Sequence, residues 1–450
     1  MPDPCNPCAV AIDFGATSGR FALGTLAEGV ISFEVIEQIP HEAVERNGRL
    51  EWDLDRLMGL CRRAVDYAVS AGAKTVGIDS WGVDHGFLDE NGELIGVPVC
   101  YRDLSHLAAL EALEPVRDRL YALTGIQRQP FNTICQLVAR RTEDPSLPER
   151  AKDWMVLPDL IAYLLSGERN HELTQASTTQ LLGLDGKWSP EALAIAGWPV
   201  PAREPRQPGQ LGGEVAPGIR IANVGSHDTA SAVAGFGELG DDQIFINVGT
   251  WSLIGCVVDE PIATPQAEAA NFTNERTVDG RVRLLKNVPG FYVINRIHSE
   301  LGVTESVPEW LGSAVMGDAS VDLLHPAFFN PDSMVETCSE LAGVTPQSHA
   351  EWAGFALQSL TGTLAKLPAQ LGAMTGREFK SIRVGGGGSQ SEVFCRTLAA
   401  ASGLPVLAGP AEATVLGNLG MQFLANGDLG SFTEMFAAIS ASSNVRTYLP

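Results

Sequence analysis

The chain has 450 residues, 45% of them hydrophobic and 19% charged, and its net charge is −23. This length predicts two or three domains with sizeable cores. The acidic balance argues against nucleic-acid and anionic-membrane partners, because both need basic surfaces, and no apolar run approaches the roughly 18 residues that a membrane span requires.

The eight cysteines are spread along the chain, too sparsely for a disulfide scaffold, and indicate reduced thiols in the cytoplasm. Cys5 and Cys8 have the spacing of a redox or metal motif, but no second pair follows at zinc-finger spacing. The amino terminus has neither the basic nor the apolar region of a signal peptide. We therefore expect a cytoplasmic protein.

The first predicted element is a β-hairpin. Residues 9–14 form an apolar run, 15–19 a turn of small residues and 20–26 a returning strand. Such a turn lets backbone N–H groups approach phosphate oxygens, and Asp13 near the strand end suits a divalent metal, usually through water. A plain glycine hairpin explains the same residues.

A strand over 31–38, a helix over 53–71 capped by Asp53 and a strand over 74–79 come next. A hairpin turn at residues 91–92 closes this part. Trp81, Asp84 and His85 cluster after the strand. An aromatic face with a few acceptors is typical of a sugar site, although a core tryptophan with solvated neighbours is the alternative.

Residues 104–179 are predicted to be mostly helical, and residues 188–218, rich in Pro and Gly, to be an irregular surface connection. The connection leads into a strand over 219–224, which Gly225 breaks before a helix of small residues. Asp228 then lies where a strand ends and a helix begins, the place where open α/β sheets bind ligands, and its carboxylate can take a proton from a bound hydroxyl. The alternative is that Ser226 or Asp228 only caps the helix.

The opening pattern returns at residues 243–258 as strand, tight turn and strand. Two such units, each beginning a half of the chain, predict a duplicated domain with two phosphate loops facing across a cleft and a boundary within 235–242. A strand over 381–384, four glycines and a helix start can cradle a nucleotide. The loop does not fit the dinucleotide fingerprint, and the chain lacks a Walker A sequence.

With these motifs in place, the chain resembles the FGGY family of carbohydrate kinases, and within it the L-rhamnulose kinases, over nearly its whole length. The resemblance rests on several motifs in the same order, namely residues 13–20, 77–84, 101–103, 130–133, 226–232, 249–252, 285–287 and 386–390.

The resemblance implies an α/β fold of two actin-like (ribonuclease H-like) ATPase domains with an interdomain cleft. The N-terminal domain, residues 1–237, would carry most of the sugar site and the base, and the C-terminal domain, residues 238–450, most of the nucleotide site. It also implies ATP and Mg²⁺, with Asp228 as the general base and Asp13 placing the metal.

Carried over by position, the remaining site residues form two sets. The phosphates and the nucleotide would be contacted by Ala16, Thr17, Ser18, Gly19, Arg20, Thr250, Asn295, Gly386 and Gly387. The sugar would be held by Gly82, His227, Asp228, Thr229 and Asn287, to which we add Asp84 and His85 from the cluster after the strand.

The implied reaction is ATP-dependent phosphorylation of a small-molecule ketose at a primary hydroxyl, L-rhamnulose to L-rhamnulose 1-phosphate, by a monomer or homodimer. The L-rhamnulose kinases tend to have Phe where this chain has His85, and an imidazole there would favour another hydroxyl pattern. The alternatives are a kinase for L-fuculose or another ketose, a non-catalytic ATP-dependent sensor on the same fold, and a dehydrogenase.

Overall fold

The computed structural model describes residues 6–46, 48–328 and 331–450, so Cys5 of the first cysteine pair lies outside the described residues. The strands are β1 Cys8–Phe14, β2 Ser18–Ala27, β3 Val30–Pro40, β4 Ala43–Arg46, β5 Arg49–Trp52, β6 Thr75–Ser80, β7 His85–Leu88, β8 Leu94–Ile95, β9 Asp153–Val156, β10 Leu211–Ala216, β11 Ile219–Ala222, β12 Gln243–Val248, β13 Trp251–Val258, β14 Thr273–Arg276, β15 Val282–Pro289, β16 Ser381–Gly385, β17 Val406–Ala408 and β18 Arg446–Tyr448.

The helices are α1 Leu54–Ala71, α2 Ser105–Ala112, α3 Arg117–Thr124, α4 Thr133–Glu143, α5 Leu147–Arg150, α6 Leu157–Ser166, α7 Leu173–Ala176, α8 Pro190–Ala196, α9 Asp228–Ala234, α10 Pro265–Ala269, α11 Phe291–Glu300, α12 Val307–Gly312, α13 Met334–Ala342, α14 His349–Ala365, α15 Leu367–Thr375, α16 Glu392–Ser402, α17 Ala413–Ala425 and α18 Phe432–Ser442. Among the described residues, none of these helices combines the length and the apolar character needed to cross a membrane.

The chain divides into two compact units. The first contains the described residues up to Glu238 together with Val258–Leu284 and Thr414–Ser442, and the second contains Leu239–Val257, the described part of Leu285–Ala413, and Ser443–Pro450. The predicted domain boundary lies between residues 237 and 238. The first unit therefore includes two stretches of chain that come after this boundary.

A six-stranded sheet of order β10-β11-β6-β1-β2-β3 forms the centre of the first unit. β1, β6 and β11 are parallel neighbours, while β1 and β2 form the predicted antiparallel hairpin. Val10 and Ile12 face one apolar cluster and Ala9 and Ala11 face another, because successive side chains of a strand point to opposite faces. The sheet is therefore buried on both sides.

Helix α1 covers one face of this sheet, and it begins as its sequence predicts. The side chain of Asp53 accepts a hydrogen bond from the backbone N–H of Arg56, and Gly72 ends the helix in the left-handed conformation. The apolar residues of α1, among them Leu57 and Leu60, lie on one face of the helix and are buried against the strands.

The second unit repeats this arrangement. β12 and β13 form the predicted antiparallel hairpin, and β12 pairs in parallel with β16, as β1 does with β6. β17 and β18 extend the sheet beyond β16, and β15 lies beside β13. The duplication that the two hairpins predict is present in the strand order.

The prediction of an irregular connection over 188–218 is wrong in two places. Residues Pro190–Ala196 form α8, which Ser189 caps through its side chain while Pro190 occupies the first turn, and Leu211–Ala216 form β10 at the sheet edge. Ser-Pro before an apolar segment is a helix-start signal, and the high Pro and Gly content of the surrounding sequence concealed it.

Candidate active site

Three carboxylates meet at one edge of the first unit's sheet. Asp13, the last but one residue of β1, lies directly opposite Asp79 of β6, and Asp228 follows β11 through a short loop. Because the three strands are parallel, their carboxyl ends lie at the same edge. The three groups interact electrostatically, since Asp13 and Asp228 both raise the pKa of Asp79.

Sequence analysis missed Asp79 as a site residue. It is fully buried, its Oδ2 accepts a 2.6 Å hydrogen bond from Nδ2 of Asn418, and its Oδ1 has no hydrogen-bond partner. Burial raises the pKa of Asp79 well above its usual value, and the charge of Asp13 adds to the effect. The signal in the sequence was the pair Ile78-Asp79 near the carboxyl end of its strand, which matches Ile12-Asp13 near the end of β1.

In this structure Asp13 is bound by Arg20. Nε and Nη2 of Arg20 lie 3.0 and 2.8 Å from Oδ2 of Asp13, which faces it across the hairpin. Ala16 and Thr17 form the turn, whereas Ser18, Gly19 and Arg20 already belong to β2. A Cβ at Gly19 would lie 2.4 Å from the ring of Phe14, so packing alone requires this glycine.

Asp228 is the first residue of α9, as predicted, but it does not cap the helix. The capping position belongs to His227, whose side chain makes no cap hydrogen bond. Oδ1 of Asp228 accepts a 3.0 Å hydrogen bond from Thr229 and lies 3.5 Å from Nε2 of His227. Burial raises the pKa of Asp228; the His227 side chain lowers it and Asp13 raises it further. His227, rather than Ser226 or Asp228, therefore occupies the capping position.

The loop before Asp228 is held by Glu172, a buried residue that sequence analysis did not single out. Its carboxylate accepts hydrogen bonds from the backbone N–H and the hydroxyl of Ser226 at 3.1 and 2.6 Å, and from Thr174 at the start of α7. Nε2 of Gln175 in turn donates to the carbonyls of Trp81 and Ser226. These bonds join the Asp228 loop to the loop that contains Gly82.

Gly82 lies beside the catalytic candidates. A Cβ built on it would come within 3.4 Å of Nε2 of His227 and within 3.2 Å of Thr178. The structure therefore brings together four of the residues predicted to hold the sugar, namely Gly82, His227, Asp228 and Thr229.

Asp84 is buried, and its carboxylate is already occupied. Its Oδ2 accepts the indole N–H groups of Trp52 and Trp81 at 2.6 and 2.8 Å and the backbone N–H of Tyr101, and its Oδ1 accepts from Gln136. Burial raises its pKa to about 7, although these four donors favour the ionised form. This geometry favours Asp84 as the support of the Trp81–Gly82 loop, and its predicted sugar contact stays a prediction.

His85 lies in a different environment from the other predicted sugar residues. Its ring packs edge-on against Phe87 and Trp154, and neither ring nitrogen has a hydrogen-bond partner. It borders a cavity of about 190 Å³ that His106, Gln136 and Arg140 also line, and no other residue predicted to hold the sugar lines this cavity. Burial lowers the pKa of His85 to about 3, so the ring is neutral at pH 7.

His227 contacts a buried pair of charged side chains through its Nδ1 atom. Nδ1 of His227 lies 3.1 Å from Nη2 of Arg283 and 3.3 Å from Oε2 of Glu275, and these last two atoms are 3.2 Å apart. Burial opposes the ionisation of Glu275, but its contacts with His227 and the charge of Arg283 lower its pKa. Sequence analysis missed both residues, since a charged pair on two strands has no distinctive spacing.

The other predicted nucleotide residues, Thr250, Asn295, Gly386 and Gly387, lie in the second unit. Thr250 forms the β12–β13 turn, and its carbonyl accepts the backbone N–H groups of Gly290 and Tyr292. Gly386 follows β16 with φ of 71°, and a Cβ on it would lie 2.7 Å from the Val248 carbonyl. A Cβ on Gly387 would meet open space. Asn295 is an exposed residue of α11, and Asn287 is a half-buried residue of β15.

Comparison with known proteins identifies the family to which the chain belongs. Residues 8–202 match the N-terminal domain of the FGGY family of carbohydrate kinases, and residues 244–426 match its C-terminal domain. The chain belongs to the FGGY family of carbohydrate kinases. As an FGGY carbohydrate kinase it is a phosphotransferase whose acceptor is an alcohol group, and the two-domain α/β fold that the motifs implied is confirmed.

Two curated FGGY kinases are similar to the chain. The rhamnulokinases of Pectobacterium atrosepticum and Pectobacterium carotovorum are each 37% identical to it in an alignment of 453 positions that covers 95% of this chain and 90% of theirs. A ligand-bound xylulose kinase from Lactobacillus acidophilus has the same fold, with a TM-score of 0.81 at 16% identity over 99% of this chain and 94% of that one.

Proposed function

We propose that this FGGY kinase transfers the γ-phosphoryl group of ATP to the primary O1 hydroxyl of L-rhamnulose, giving L-rhamnulose 1-phosphate. The observation that carries the substrate is the 37% identity to two rhamnulokinases over 95% of the chain. The setting of Asp228 supports the chemistry, because a carboxylate at a helix start beside His227 and Gly82 suits the recognition of a sugar hydroxyl.

Asp228 would orient the acceptor hydroxyl and take its proton. Phosphoryl transfer passes through a loose transition state, so the main tasks of the protein are positioning and charge neutralisation. A partly buried carboxylate of raised pKa is a better proton acceptor than an exposed one. His227 and Thr229 both approach Oδ1 of Asp228, which leaves Oδ2 for the hydroxyl.

The oxygen-rich sheet edge fits Mg²⁺. The ion takes carboxylate oxygens and water, and the buried Oδ1 of Asp79 lacks a hydrogen-bond partner beside Asp13. No group of three or more His, Cys, Asp or Glu side chains in metal-binding geometry occurs among the described residues. We therefore propose that Asp13 and Asp79 hold an Mg²⁺ ion whose other ligands are mostly water. When bound, Mg²⁺ would neutralise phosphate charge.

For ATP, we propose the turn residues Ala16 and Thr17 with Ser18, Gly19 and Arg20 in the first unit, and Thr250, Asn295, Gly386 and Gly387 in the second. The open space beside Gly387 supports this assignment. We further expect a cytoplasmic enzyme, since seven described cysteines are free thiols. Whether it is a monomer or a homodimer stays a prediction to be measured.

Asp228→Asn tests the mechanism. The amide cannot accept the proton, so we expect kcat to fall at least 10²-fold while ATP binding stays within about twofold. Asp66→Asn, on the exposed face of α1, is the matched control and is expected to keep wild-type activity. ADP release in the presence of ketose and the dissociation constant of ATP are measured for all three proteins. Substantial residual turnover by Asp228→Asn would refute the role of Asp228.

The substrate is tested by ADP release with L-rhamnulose, L-fuculose, L-ribulose, L-xylulose and their D counterparts. A clear preference for L-rhamnulose, measured as kcat/KM, supports the proposal. Preference for another ketose would keep the kinase and replace the substrate. Turnover of no ketose by a protein that binds ATP would favour the sensor alternative.

A further inference from the structure

Arg283 is one of the largest fully buried side chains of the protein, and it carries a positive charge. It lies on β15, with Glu275 on β14 as its ion-pair partner at 3.2 Å, and the side chain of Glu275 is only 6% exposed. Removing a charged pair from water is costly, so a buried ion pair is weak evidence for stability. The pair calls for another explanation.

The position of the pair supplies one. Nη2 of Arg283 lies 3.1 Å from Nδ1 of His227, whose opposite ring nitrogen faces Oδ1 of Asp228 at 3.5 Å. Asp228 and Glu172 are the other carboxylates that act on Arg283. An unbroken series of polar groups therefore runs from Glu275 through Arg283 and His227 to the proposed base.

The chemistry of the guanidinium decides which ring nitrogen of His227 carries the proton. Arginine has only donors, so its hydrogen bond to Nδ1 requires the lone pair there. A neutral imidazole then carries its proton on Nε2, which points at Asp228. Without Arg283, the Glu275 carboxylate, 3.3 Å away, would accept a hydrogen bond from a protonated Nδ1. Nε2 would then present its lone pair to Asp228. The Nε2–H tautomer can donate a hydrogen bond to Asp228, whereas the Nδ1–H tautomer places a lone pair against the carboxylate.

We propose that Glu275 and Arg283 are positioning residues, which hold His227 with its proton on Nε2 so that the imidazole and Thr229 fix Oδ1 of Asp228 and leave Oδ2 for the acceptor hydroxyl. The inference rests on the proposed function, in which Asp228 is the base. Glu275 anchors Arg283, and Arg283 selects the tautomer. The 3.5 Å separation between His227 and Asp228 is expected to shorten when substrate binds, as catalytic hydrogen bonds commonly do.

The test removes the pair without leaving an unpaired charge. In the double variant E275Q/R283M the amide oxygen introduced at position 275 can accept a hydrogen bond from Nδ1–H, and we expect His227 to change tautomer. The kcat for the ketose should fall roughly 10²-fold with KM for ATP unchanged. The single variant Glu275→Gln keeps the arginine donor, so it should keep the wild-type tautomer and lose less activity.

The deciding readout is spectroscopic. Two-bond ¹H–¹⁵N spectra of ¹⁵N-histidine-labelled protein show which ring nitrogen is protonated, and the signals of His227 are those absent from His227→Asn. We expect the Nε2–H pattern in wild type and Glu275→Gln, and the Nδ1–H pattern in E275Q/R283M. A wild-type Nδ1–H pattern, or an unchanged pattern in the double variant, would overturn the inference.

A control separates positioning from loss of structure. E143Q/R140M removes another buried arginine, which bonds to Glu143 rather than to His227. It should keep the His227 spectrum and near-wild-type kcat even if its melting temperature falls as much as that of E275Q/R283M. Equal loss of kcat in both double variants would assign Arg283 a structural role only. If wild type phosphorylates no ketose, the proposed function fails, while the spectra still report the tautomer.

Discussion

Asp228 owes its setting to residues that are distant in sequence. Glu172, more than fifty positions earlier, binds the backbone and hydroxyl of Ser226, while Arg283, more than fifty positions later, approaches the ring of His227. Each contributes hydrogen bonds of 2.6 to 3.1 Å to groups next to the proposed base. The motif around Asp228 therefore needs a surrounding layer of buried polar side chains to hold its geometry.

At the same scale, His85 predicts a pH dependence of stability. Its pKa is about 3 in the folded protein against about 6.5 in the unfolded chain, so the unfolded state binds the extra proton between these values. Stability is therefore lost as the pH falls from about 6.5 towards 3, on the order of 1 kcal/mol per pH unit. His85→Phe should remove this contribution, and urea unfolding at pH 7, 6, 5 and 4 measures the difference.

At pH 7 the same variant should be as stable as wild type or up to about 1 kcal/mol more stable, because it removes two buried nitrogens that have no partner. Parallel stability curves for the two proteins between pH 7 and 4 would contradict the prediction. Run through the ketose panel, His85→Phe also decides whether this residue influences sugar preference.

Among the helices, α17 packs against the candidate active site and binds one of its carboxylates. Asn418 donates to Asp79, Gln422 donates to the carbonyl of Val10, and both side chains are buried. Gly417 faces α9, where a Cβ would lie 1.9 Å from the carbonyl oxygen of Ser231. One helix therefore holds a sheet-edge carboxylate and sets the position of the helix that begins at Asp228.

Gly417→Ala tests this packing. The added methyl group cannot be accommodated without moving the α9 backbone, so we expect a loss of about 1 to 3 kcal/mol in unfolding free energy and a kcat reduced at least tenfold. Gly362→Ala in α14 is the matched control, because a Cβ there meets nothing within 4 Å and alanine favours a helix. Urea unfolding and steady-state kinetics are compared. Wild-type kcat in Gly417→Ala would show that α9 tolerates the shift.

For the whole molecule, the repeated hairpin is the organising feature. β1–β2 and β12–β13 each pair in parallel with a later strand, β6 in one unit and β16 in the other. The two copies have diverged in their chemistry. The first has buried carboxylates near the ends of its strands, and the second is followed at β16 by Gly387, beside which a Cβ would meet open space.

Gly387→Ala tests the nucleotide assignment. Its Cβ would lie in open space, so the fold should keep its stability, but the methyl group would occupy room that a bound nucleotide needs. We expect the rise in melting temperature caused by Mg-ATP in wild type to fall by at least half. Gly386→Ala is the contrasting variant, since its left-handed φ and the nearby Val248 carbonyl predict a less stable protein without nucleotide. An undiminished Mg-ATP effect in Gly387→Ala would remove this residue from the site.

The local order of the chain follows from the sequence alone. Apolar periodicity and turn residues predicted β1, α1, β12 and the start of α9, because short-range patterns determine those elements. The motifs also led to the family, and Asp228 lies where its neighbours predicted. The helix at Pro190 and the strand at Leu211 were missed, since the local Pro and Gly content outweighed a valid cap signal.

Only the tertiary structure revealed the residues that act through others. Asp79 and Glu172 are buried carboxylates whose partners come from remote segments. Glu275 and Arg283 are close in sequence, but they contact His227, which is about fifty positions away. The structure also placed His85 in its own cavity, where the sequence had grouped it with Asp84 by adjacency. Asp84 belongs to the loop before β7 and His85 begins that strand, so closeness in sequence does not ensure a shared site.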